Sequence, residues 1–284
     1  MLAISIAVTT RPYRLLPALV TLCATLVVGP PPVHAQADDD AALQPAEPDY
    51  RLVNLPTTLR LPEDKSSVEL THRFNGNLRN GSLGDQASNL FGIDEGATIG
   101  FEYRFAPARH VEVAVYRENY DRTIQLYGKW DAVHQRTGLP VSISGLLSVE
   151  GGNNFRQRYA QSLGATISRQ FDDRAALYVV PMWVHNVTPL VSATTGVNDS
   201  TFYAGLGGRL RVRPTVYVTA EVSPRLAGAA PNTAEYGVAI EKRAGAHVFQ
   251  LNVSNSELST FAQTGAGGLP QSLFMGFNLT RKFY

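Results

Sequence analysis

Twelve charged side chains recur at alternating positions among apolar neighbours: Glu69, Arg73, Glu102, Arg104, Glu112, Lys129, Glu150, Arg209, Arg211, Glu221, Glu241 and Lys282. Six acids stand against six bases. Such a set suits the handling of ions rather than the making of bonds. On one face of a sheet, opposite charges either pair across strands or line a passage that selects small polar or zwitterionic solutes. A buried charge stripped of its partner costs about 3–5 kcal/mol. The structural expectation is therefore a salt-bridged interior, and its functional counterpart is a narrow, charge-ringed pore.

Nucleophilic chemistry is poorly provided for. His247, Asn252 and Ser254 are the residue types that an outer-face lipase would need, but His247 and Asn252 fall on opposite parities of one strand and would converge only through a bulge. No Gly-x-Ser-x-Gly elbow occurs. His72 and His185 read as interface residues. Gly205 to Gly208 lie within a strand, where glycine eases curvature. Asp38, Asp39 and Asp40 read as solvated linker, with no histidine or second carboxylate cluster near them in sequence. Cys23 is the only cysteine and lies in a segment expected to be removed, which leaves no thiol or disulfide. No catalytic residue, cofactor or metal is expected, and the chain is read as a non-enzyme.

The elements that must position these charges alternate with period two. Val68, Leu70, His72 and Phe74 alternate with Glu69, Thr71 and Arg73; Ile99, Phe101, Tyr103 and Phe105 with Gly100, Glu102 and Arg104. The closing stretch places Leu273, Met275, Phe277, Leu279 and Phe283 opposite Gly276, Asn278, Thr280 and Lys282. Arg174 to His185 is apolar on both parities and carries Pro181, which removes a ladder donor. The pattern predicts an all-β protein, a transmembrane up-and-down antiparallel barrel of about twelve strands. Short links such as Arg213-Pro214 and Ala244-Gly245 alternate with long ones such as Asn75 to Glu95 and Ser256 to Gln271, so both termini belong on the short-turn, periplasmic side. Phe74, Phe105, Trp130, Tyr236, Phe283 and Tyr284 stand near strand ends, as an interfacial aromatic girdle would. A soluble secreted sheet with the same alternation is the competing reading.

Residues 1–35 read as an export signal: Arg11 and Arg14 precede an apolar run, and Val33-His34-Ala35 suits cleavage. Residues 36–66, acidic and then proline-rich, read as a flexible periplasmic leader, and 67–284 as the barrel. A net charge of +1, without a basic run or zinc spacing, argues against a nucleic-acid partner.

Glu69-Leu70-Thr71-His72-Arg73-Phe74, Ala87-Ser88-Asn89-Leu90-Phe91-Gly92-Ile93-Asp94, Leu206-Gly207-Gly208-Arg209 and His247-Val248-Phe249-Gln250-Leu251-Asn252 carry a likeness. Over roughly Tyr50 to Tyr284 the chain resembles a family of bacterial membrane-bound β-barrel domains of unknown function. That resemblance implies the fold and brings no catalytic or ligand residues. The expectation is an outer-membrane barrel of a Gram-negative bacterium, acting as a narrow channel or as a structural and interaction platform. Its expected partners are outer-membrane lipid, the barrel-assembly machinery and a small polar solute. An outer-membrane hydrolase is the alternative.

Overall fold

The computed structural model describes residues 46–135, 138–187, 200–228 and 233–284. The expected export signal and the first part of the leader lie outside the described residues. The wall is antiparallel throughout: β1 (Ser66–Asn77), β2 (Ala97–Ala108), β3 (Val111–Glu118), β4 (Ile124–Val133), β5 (Ser142–Gly151), β6 (Gln157–Phe171), β7 (Ala175–His185), β8 (Thr201–Arg213), β9 (Val216–Ser223), β10 (Arg225–Gly228), β11 (Glu235–Ala244), β12 (His247–Ser254) and β13 (Phe274–Phe283).

Apart from the short β10, each strand pairs with its sequence neighbour, and β13 closes the ring on β1, from Ser66 opposite Phe283 to His72 opposite Phe277. β9 and β10 both pair with β8 and flank Pro224, which has no N–H to give, so they form one interrupted stave and the barrel has twelve. Closure leaves no free sheet edge, the condition for strands to cross a bilayer.

The apolar parity faces out. Phe101, Leu126, Leu147, Leu163, Ile240 and Leu251 are exposed, while Glu102, Gln125, Ser148, Ser162, Glu241 and Asn252 on the other parity are buried. A soluble sheet would show the reverse, because its core must take the apolar residues. No helix among the described residues is long and apolar enough to cross a membrane.

The stretch that is apolar on both parities is β7, a wall strand whose inward residues Tyr178, Val180, Met182 and Val184 belong to an internal apolar cluster with Leu52, Leu55 and Phe261. Its ladder with β6 passes from Gly164–Met182 to Ile167–Val179 without pairing at Pro181, the gap that a missing N–H imposes.

Two segments fill the interior. From the short-turn rim, residues 46–61 run inward as a tight hairpin. Leu52 N–H donates to Leu55 C=O at 2.8 Å and Thr57 N–H to Tyr50 C=O at 2.9 Å, with Tyr50, Leu52, Val53 and Leu55 buried. The expectation of a flexible leader over 36–66 is corrected for this part. Tyr50, Leu52, Val53, Leu55, Leu59 and Leu61 carry enough apolar surface to repay ordering once a cavity is there to receive them. From the opposite rim, the β12–β13 connection folds inward and carries α2 (Phe261–Ala266), every residue of which is buried. On that same rim α1 (Leu83–Ser88) opens the β1–β2 connection, with Ser82 and Asp85 forming a capping box.

Candidate functional site: the occupied barrel interior

The inner hairpin is held by the wall charges. The Glu221 carboxylate accepts the N–H groups of Val53 (2.9 Å), Asn54 (2.8 Å) and Leu55 (3.1 Å), three donors that the tight bend leaves without backbone partners. Arg51 places Nε 3.2 Å from Glu69 and Nη2 2.5 Å from Glu102. Arg209 Nη2 donates to Glu241 at 2.9 Å and to Arg51 C=O at 2.6 Å, and its Nε lies 2.8 Å from the second oxygen of the same carboxylate. Glu112 accepts Leu61 N–H at 2.8 Å, while Lys129 and Lys282 donate to the carbonyls of Leu59 and Pro48. Arg73 donates to Asn278 (2.7 Å) and to the Asn54 side chain (3.1 Å).

The glycine run on β8 has a use that the sequence did not reveal. A Cβ on Gly205 would lie 2.5 Å from a Leu55 methyl, and one on Gly207 would lie 2.3 Å from a Leu52 methyl. These two positions are recessed to admit the hairpin's leucines, so the wall is shaped around its occupant.

The second segment is anchored at the other end. Thr260, the N-cap of α2, donates to Glu150 at 3.0 Å; Gln263 completes the capping box and donates to Glu118. Arg225 donates to the carbonyls of Gly265 and Ala266, which lie at the end of α2 where cations are favoured. The two segments meet inside the barrel, where Arg51 Nη1 donates to Ser259 C=O at 3.1 Å and Asn54 to Leu258 C=O at 3.3 Å. Beside Leu258, Glu257 lies in the loop, partly buried, and desolvation pushes its carboxyl up to about 7.

Eleven of the twelve sequence-selected charges are buried inside the barrel. The exception, Arg211, sits at the short-turn rim on Asp173, 2.5 Å away. Wall-to-wall pairing occurs at Arg104 with Glu102 (2.6 Å), Lys129 with Glu112 (3.0 Å) and Arg209 with Glu241. Glu69, Glu150 and Glu221 turn instead to the inner segments.

The six-to-six balance does not hold either. Among the described residues, eleven carboxylates and seven Arg or Lys side chains are buried. The excess carboxylates are met by neutral donors, as at Glu221, Glu118 and Glu150. Sequence reasoning missed Arg51, Glu118, Asp131, Arg225 and Glu235. Glu118 lies two steps up the strand on the inward parity of Glu112 and Tyr116, so the alternation already contained it. Arg51 lies in a stretch without any period.

Of the aromatic residues, Phe105, Trp130, Phe283 and Tyr284 stand toward the short-turn rim and Phe74 and Tyr236 toward the long-loop rim, with Trp130 60% exposed. The hydrolase set does not assemble: Asn252 and Ser254 are buried inside, whereas His247 bonds Arg281 at the rim, 3.2 Å away. His185 Nδ1 lies 2.9 Å from Ser200 Oγ with the Trp183 ring stacked on it, and among the described residues no carboxylate or amide bonds the imidazole. No group of residues suited to a metal ion occurs among the described residues.

A closed ring of strands, oily outside and ionic inside, defines a membrane-bound β-barrel. The chain belongs to the family described as "Membrane bound beta barrel domain (DUF5777)", whose model matches residues 49–283 and so takes in the inner hairpin as well as the wall. No curated protein sequence matches it. Among solved structures it is similar to the NanC porin (TM-score 0.50, 4% identity, 78% of this chain and 100% of that one) and to the KdgM porin (TM-score 0.50, 7% identity, 77% and 99%). It is also similar to outer membrane phospholipase A from Escherichia coli, at a TM-score of 0.43, with 7% identity and coverage of 77% and 90%. The likeness to the two porins is one of fold.

Proposed function

We propose that this chain is exported by its first 35 residues, assembled into the outer membrane by the barrel-assembly machinery, and works there as a barrel sealed at rest by its own inner hairpin. In that state it is a structural and interaction platform rather than an open pore or an enzyme. The observation that carries the reading is Glu221 accepting three consecutive backbone N–H groups of the hairpin, an arrangement that serves a resident segment and no transiting solute.

A channel for small polar solutes is the second reading, favoured by the polar wall that withdrawal of the hairpin would expose. Planar-bilayer recording separates the two. The full chain is expected to be silent, and a chain lacking residues 46–61 is expected to show discrete conductance steps if the channel reading holds. A full chain that conducts steadily overturns the sealed state, whereas a folded deletion variant that stays silent leaves only the platform.

A further inference from the structure

The short-turn rim carries a cavity of about 390 Å³ between the β6–β7 and β8–β9 turns, lined by Asp173, Arg174, Arg211, Val212, Arg213 and Pro214. Three guanidinium groups and one carboxylate border it. Arg211 is fixed in place, 2.5 Å from Asp173 and 3.1 and 3.2 Å from Pro214 C=O. The exposed side chains of Arg174 and Arg213 make no hydrogen bond or ion pair among the described residues. Two positive charges therefore remain uncompensated in the lining. Asp172 is exposed in the same turn, outside the lining.

The cavity also adjoins the oily band. Val212 is exposed, Leu210 next along the outer face is exposed too, and Phe171 stands at the same level with Arg169 over its ring at 5.2 Å. On the long-loop rim Arg158 is paired with Asp121 and Arg117 bonds Asn154 at 3.1 Å, while Arg122 and Arg156 are exposed there.

We propose that this cavity binds the phosphate headgroup of an anionic phospholipid in the leaflet at the short-turn rim, with the acyl chains lying along Val212 and Leu210. Guanidinium groups match phosphate oxygens in pairs, and a juxtamembrane cluster of bases gains from an anionic leaflet. The fixed Arg211 supplies geometry while Arg174 and Arg213 supply the unspent charge. This rests on the membrane-spanning reading: a chain that fails to enter bilayers overturns both, and one that enters without lipid preference overturns only this proposal.

The test is lipid retention by the full chain, taken from mixed bilayers of phosphatidylglycerol and phosphatidylcholine and read by native mass spectrometry. Phosphatidylglycerol is expected to be retained in preference, with about a fivefold loss for each of Arg174→Ala and Arg213→Ala. Arg117→Ala on the opposite rim is expected to leave retention unchanged. Should the rim variants fail to fold, the unaltered chain still decides, because equal retention of the two lipids overturns the site. Equal loss from variants on both rims, or displacement by inorganic phosphate in place of lipid, also overturns it.

Discussion

Glu221, on the wall strand β9, accepts a 2.8 Å hydrogen bond from the backbone N–H of Asn54, which stands 167 residues earlier in the chain. With the neighbouring N–H groups of Val53 and Leu55 it makes one carboxylate the seat of the whole bend. Replacing it with alanine strands three buried donors, each costing about 1–3 kcal/mol less whatever the bend recovers by relaxing. The expected outcome for Glu221→Ala is loss of amide hydrogen-exchange protection at Val53 to Leu55 while the wall strands stay protected. Glu221→Gln keeps an acceptor and is expected to fall between.

Arg51 stands between two acids and belongs to neither strand that carries them. Arg51→Met leaves Glu69 and Glu102 facing each other without the intervening charge, and a destabilisation of about 3–5 kcal/mol is expected. It is read as a lowered temperature for the heat-modifiable shift on a gel. Adding Glu69→Gln to Arg51→Met is expected to restore part of the loss, because the repulsion then disappears. A double variant no more stable than the single one would contradict this account of the pair.

Steric eviction gives an independent handle on the hairpin. Gly205→Leu with Gly207→Leu fills the recesses that Leu55 and Leu52 occupy and leaves every ionic partner of the hairpin intact. Protease sensitivity within residues 46–61 is expected to rise, with the barrel itself still resistant. Were the recesses only for curvature, the wall would suffer first.

Glu257 supplies a pH dependence outside the wall. Burial raises its carboxyl to about 7 from the ordinary 4.5, so the docked loop favours the protonated form. The sign follows: docking is least opposed below pH 4.5, loses support as pH rises from 4.5 to 7, and changes no further above that. Because the side chain is only about half buried, the effect is small. Exchange protection of α2, corrected for intrinsic rates, is expected to fall across that window in the native chain and to stay level in Glu257→Gln.

The outward parity has its own test. Leu147 and Ile240, at mid-strand, are 64% and 60% exposed. Arginine at either position is expected to cost about 2–4 kcal/mol for folding into phospholipid vesicles, measured by denaturant titration. The same change on a water-facing surface would cost almost nothing.

The wall was legible in the sequence because a period of two is a local signal: Ile99, Phe101 and Tyr103 against Gly100, Glu102 and Arg104 declare two faces within a few residues. The contents were not. Residues 46–61 satisfy their backbone through Glu221, Gln250, Asn278 and Arg209, each far along the chain, and no local pattern encodes a partner so distant. β7 was ambiguous in the sequence for a related reason. Its inward side faces Leu52, Leu55 and α2 rather than charges, so the apolar residues on both parities belong to a wall strand that happens to meet an oily part of the filling. Arg211 was misplaced because parity alone does not say where the barrel ends.

The hairpin's contacts come from opposite ends of the polypeptide: Glu69 on β1, Ser259 and Leu258 just before β13, and Asn278 on β13 itself. The stave that shuts the ring also bonds the filling, so sealing the cylinder and holding its contents share one strand. A barrel without the final strand would hold that turn without the bonds from Asn278 and Lys282.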